Sequence, residues 1–117
     1  MTSRAVLDGG GLVVELDLAA RLAGVSFGRR IIVPRDEIVR EWTSDALTVG
    51  RTLRWKIAGT AFSRQRAMGW FSRPGHRGSW AWVWLTPGRA VRVVETSRGR
   101  PGLVAVPEDW FDGSSAR

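Results

Sequence analysis

The chain has 117 residues, room for one domain, and its 44% hydrophobic and 25% charged residues are ordinary globular usage. With no cysteine and no apolar run of about 18 residues, it excludes disulfides, thiolate zinc sites, a cysteine nucleophile and a membrane-spanning helix. The net charge of +7 leaves room for an anionic partner, and the lack of cysteine suits a reducing cytoplasm.

Residues 1–10 read as a flexible leader closing on Gly9-Gly10-Gly11, without the form of a secretory signal, and the domain is expected to span 11–112. From Leu12 to Leu18 apolar residues alternate with Glu15 and Asp17, the pattern of a half-buried strand. Asp17 can cap a helical turn through Ala23, with Gly24 at its end. Phe27 to Val33 is a second strand, stopped by Pro34, and Ile38 to Trp42 a third. Residues 44–66 show no clean period and are expected to be a long packed loop of the compact kind, with room for a short strand or turn inside. A fourth strand covers Ala67–Ser72, and Pro74–Gly78 is a turn.

Ser79 to Thr86 is the clearest strand, with Trp80, Trp82 and Trp84 on one face and Ala81, Val83 and Leu85 on the other. Ala90–Thr96 and Gly102–Val106 complete a set of seven strands. Pro107, followed by Glu108 and Asp109, then opens a short helix, because proline tolerates a first helical turn and carboxylates complement its dipole. Residues 113–117 are expected to be a disordered tail.

Seven strands and a terminal helix, in that order, resemble a pleckstrin-homology-like (PH-like) domain. The likeness rests on Leu12–Glu15 with Arg29–Pro34 and Ile38, on Gly59-Thr60-Ala61-Phe62, Gly69-Trp70-Phe71 and Trp80-Ala81-Trp82, and on Arg89–Glu95 and Leu103–Glu108. These stretches are similar to small bacterial PH-like proteins of actinobacterial type. The resemblance covers about residues 11–112 and implies a mainly β fold: a bent, seven-stranded antiparallel sandwich or barrel plugged by a C-terminal helix. Here that helix is short, a departure that would either leave one end of the barrel more open or leave apolar residues for a partner to cover. The family carries no assigned catalytic or binding residues, so none transfer. Eukaryotic PH domains place basic residues between their first two strands, but Ala19–Ser26 offers only Arg21, so specific phosphoinositide binding is not expected.

His76, the single histidine, sits in a Gly/Pro turn without an orienting partner, and the acids are too scattered to hold a metal. Gly9-Gly10-Gly11 precedes a strand instead of opening a helix, so it is no phosphate loop. The expectation is therefore a non-enzymatic module without cofactor or metal.

Two surfaces suit such a module. Residues 51–100 hold ten Arg and one Lys against the single acid Glu95, whereas residues 1–50 sum to −1. Within that block Arg51, Arg54, Lys56, Arg64, Arg66 and Arg73 interleave with Trp55, Trp70 and Phe71, which suits single-stranded nucleic acid or an anionic membrane surface. An excess of Arg over Lys and charge on sheet edges give the same composition without function. The second surface is the row Trp80, Trp82 and Trp84 on a strand apolar on both faces. Something must cover the second face: residues 44–66 with Leu53, Trp55 and Ile57, or else another subunit or a ligand. Protein binding, including self-association, is the leading expectation, with nucleic acid as the alternative.

Overall fold

The computed structural model describes residues 3–17, 20, 30–53, 55–61, 63, 65–75, 78–99 and 101–111. Strands β1 (Arg4–Asp8), β2 (Gly11–Glu15) and β3 (Arg30–Pro34) form an antiparallel sheet in that order. Strands β4 (Ile38–Asp45), β5 (Lys56–Ala61), β6 (Ala67–Ser72), β7 (Trp80–Leu85), β8 (Ala90–Thr96) and β9 (Leu103–Pro107) form a second sheet, ordered β4-β8-β9-β7-β6-β5. The fold is mainly β. Each of the seven expected strands overlaps one of these nine.

The two additions correct the sequence reading. Residues 4–8, expected in a flexible leader, are β1, with Ala5 and Leu7 turned to the core. Gly9 and Gly10 are the turn of a hairpin: Asp8 pairs with Gly11, and the Gly10 amide donates to Asp8 Oδ1 at 2.8 Å. Gly11 has φ +118°, and a Cβ there would overlap the Val33 carbonyl, so the glycine permits β3 to approach.

The described part of residues 44–66 is more regular than the expected loop with a short strand or turn inside. It holds the end of β4, helix α1 (Ala46–Arg51) and β5. Asp45 caps α1 by accepting from the Thr48 amide at 2.8 Å and its hydroxyl at 3.1 Å. Those bonds to the charged form hold its carboxyl below the usual aspartate range. The helix is too short to show a 3.6-residue period, and β5 carries a bulge between Lys56 and Ala58 that breaks alternation.

The expected all-antiparallel order is also corrected. The last strand, β9, inserts between β7 and β8, antiparallel to β8 but parallel to β7, with Ala81 opposite Leu103. Every residue of β9 is buried, as a central strand requires.

Both faces of the six-stranded sheet are covered. On one, Ala81, Val83 and Leu85 of β7 join Val91, Val93 and Ala105, with Ala46, Val49 and Leu53 from α1 and the residues after it. On the other, Trp82, Val94, Val104 and Val106 meet Leu12, Val14, Ile31 and Val33 of the small sheet. Residues 109–111 are helical, and Trp110 and Phe111 pack against this second cluster. Arg89 and Arg92 tether that end through Asp109 (2.6 Å to Oδ2) and Glu108 (2.6 Å to Oε1). Asp112 and the expected tail, residues 113–117, lie outside the described residues.

Candidate functional site

The tryptophan row goes mostly to the interior. Trp82 is completely buried because the small sheet closes over it, so it offers no surface to a partner. Trp84 is half-buried, stacked on Trp82 at 6.5 Å and tilted against Trp110 at 5.8 Å between ring centres. Trp80 is half-buried and edge-on to Trp70 at 6.1 Å. The layer over this face is the chain's own small sheet, formed partly by the residues read as a leader. Leu53 does fold inward, but onto the opposite face, whereas Trp55 and Ile57 stay outside.

The basic block is divided by the same packing. The Arg73 side chain is only 9% exposed, while Arg51, Lys56 and Arg66 are at the surface. Arg54, Arg64 and His76 lie outside the described residues. Lys56 and Arg66 belong to opposite ends of the β5–β6 hairpin, about 16 Å apart at the rise of a strand, so the cations line a rim and do not converge.

That rim centres on Trp55, 68% exposed, with Ile57 at 38%. The backbone before β5 is fixed by Ser72: its amide donates to the Trp55 carbonyl (2.8 Å), and its hydroxyl accepts from the Trp55 amide (2.9 Å). Farther along, Gly59 (φ +132°) faces Gly69 (φ +128°). A Cβ on either would overlap the other strand's carbonyl and lie 2.8 Å from the opposite Cα, so only glycines permit this close crossing. Among the described residues β5 pairs only with β6, leaving its outer edge without a strand.

A second opening lies just past the end of α1, where Thr52 and Leu53 meet residues of β4, β8 and β9 and the chain after β6, a cleft of about 220 Å³. Its polar wall is Arg40, Glu95, Arg73 and Thr52; its apolar wall includes Trp42, Leu53 and Leu103. Arg73 donates to Glu95 Oε2 and Ser79 Oγ, both at 2.9 Å, and to the Gly102 carbonyl at 3.1 Å. Arg40 donates to Glu95 Oε1 at 2.7 Å while its guanidinium lies 4.7 Å over the Trp42 ring. Burial pushes the Glu95 carboxyl up, but bonds from Arg40 and Arg73 outweigh it and hold the group below the ordinary glutamate range. Sequence reasoning did not single out Arg40, Trp42, Thr52 or Glu95. The available signal was Glu95 itself, the single acid among eleven cations in residues 51–100.

Among the described residues no three potential metal ligands come together, and no helix is long and apolar enough to cross a membrane. In comparisons with family models, curated proteins and solved structures, the chain matches none.

Proposed function

We propose that the chain is a non-enzymatic interaction module on a PH-like β framework, and that it binds an extended acidic segment of a protein partner along the outer edge of β5. The observation that carries the reading is Trp55: a large indole, 68% exposed, at the start of an edge strand, next to Lys56 and with Arg66 past the strand's far end. An edge strand supplies backbone donors and acceptors to an added strand, and a rigid aromatic beside it supplies an anchor. The cations select an acidic segment and disfavour pairing with a second copy of a chain whose net charge is +7. The framework reading draws support from seven strands in the expected order with helical residues after the last. β1 and β5 are additions to that pattern, and the parallel β7–β9 pair departs from it. A chain without cysteine suits a reducing cytoplasm.

The same exposed indole next to Lys56 favours a second reading, single-stranded nucleic acid with a base stacked on Trp55. One titration separates them. An alternating Glu/Val peptide of about eight residues, the length of a long strand, should shift the amides of Lys56–Ala61 and the Trp55 indole in nitrogen–proton spectra. Shifts from oligothymidylate alone assign the surface to nucleic acid, and anionic vesicles test the membrane. A silent β5 edge with all three removes the proposal.

A further inference from the structure

The cleft beside α1 has a different chemistry from the β5 edge, although Leu53 and Arg73 in its lining are near neighbours of Trp55 through the chain and through Ser72. Glu95 is bonded at both oxygens, by Arg73 on the inner side and Arg40 on the outer side, so two guanidiniums surround one carboxylate. Arg73 alone suffices to tie Glu95 to Ser79 and the Gly102 carbonyl. Arg40 adds nothing to that internal bracing. Its side chain is 67% exposed, and among the described residues it engages one of its five N–H groups. Its contact with Trp42 keeps the guanidinium at the mouth of the cleft.

We infer that this cleft is a binding site for a small organic monoanion: a carboxylate on an apolar, preferably aromatic, body. The carboxylate meets the remaining Arg40 donors, and the body lies along Trp42, Leu53 and Leu103. Charge sets the first limit. Two guanidiniums against one carboxylate leave a single positive charge, which a monoanion neutralises and a dianion would exceed beside Glu95. Volume sets the second. About 220 Å³ falls below the roughly 300 Å³ where drug-sized pockets begin, so the occupant has on the order of ten non-hydrogen atoms and is smaller than a nucleotide. The apolar wall sets the third, since bare phosphate gains nothing from an indole and two leucines.

Benzoate is the probe, followed through the Trp42 indole and the Thr52 amide. It should bind with a dissociation constant on the order of 1 mM, as expected for so small a ligand. Benzamide, of equal shape but uncharged, should bind about tenfold or more weakly, as should benzoate to Arg40→Gln, because each loses a charge-assisted hydrogen bond. Arg40→Gln should melt like the parent, since Arg73 still holds Glu95. Arg66→Glu, at the far end of the β5–β6 hairpin, should bind benzoate unchanged, which separates this site from the β5 edge. Equal binding of benzamide or benzamidine, unaltered affinity in Arg40→Gln, or a matching response to inorganic phosphate overturns the inference.

Discussion

Replacing Trp82 by alanine tests the central claim of the architecture, that the small sheet closes over the middle of β7. Trp82 is fully buried and is the largest side chain so enclosed. Burying an indole removes about 200 Å² from water, worth about 5 kcal/mol at 25 cal/mol per Å², and measured Trp→Ala losses in cores run about 3–5 kcal/mol. A domain of this size holds only about 5–15 kcal/mol in all, so the variant should be barely folded, with its melting temperature lowered by more than about 10 °C. Trp82→Phe keeps a ring in place and should show a smaller loss of about 1–2 kcal/mol, by the area of the missing atoms. Trp55→Ala serves as the internal comparison. With its side chain mostly in water it should change stability by about 0.5 kcal/mol or less. Urea unfolding followed by far-ultraviolet circular dichroism reads all three without depending on indole fluorescence. If Trp82→Ala lies within about 1 kcal/mol of the parent, or Trp55→Ala is the more damaging, the placement of the tryptophans is refuted.

At Gly102 an added Cβ would overlap Ser79 Oγ and sit 2.7 Å from Arg73 Nη1, so Gly102→Ala should push Arg73 away from Glu95. The expected loss is about 3 kcal/mol in denaturant unfolding, the cost of stranding a buried charge, and Ser79→Ala in the same chain should recover part of it. The carboxyl of Glu95 is held low in the folded state, so its stabilisation is complete above the unfolded value near 4.5 and is lost as pH falls through the lower folded value. Melting temperature should therefore drop on acidification below about pH 4.5, and an unchanged slope in Glu95→Gln would exclude that carboxyl as a source. Arg51→Glu with Lys56→Glu reverses two exposed charges, so the melting curve should hold while affinity for an acidic peptide falls about tenfold at low salt, less at high salt. Deleting residues 2–8 removes β1 with Ala5 and Leu7, and should give an aggregating product with exposed β2; a deletion that melts like the parent would restore the reading of this segment as a leader.

What could be read in advance followed a simple division. β2, β6, β7 and β8 were legible because alternation or an unbroken apolar run ended at Gly or Pro turns, signals contained within the segment. β1 was hidden because Asp8 and three glycines look alike in a linker and in a hairpin, and only Leu12 and Val14 on the returning strand decide between them. α1 was hidden by its length, and β5 by its bulge and by Gly59, each of which erases a period. The sites were less legible than the strands, since side chains of one type had opposite fates: Arg73 went inside to Glu95, and Lys56 went outside.

The exchange of roles among the tryptophans has a topological cause. A strand-face row of three indoles is the natural candidate for a sticky surface until another layer is known to cover it, and here β1–β3 supply that layer. Insertion of β9 between β8 and β7 puts β7 near the middle of the sheet, with β6 beside it and β5 at the rim. A row of aromatics on a central strand becomes core, and one at the start of a rim strand stays mostly in water. Tryptophan number therefore says little about which indole is exposed. Strand order decides it, because among the described residues it leaves the outer edge of β5 without a neighbouring strand and puts Trp55 beside that edge.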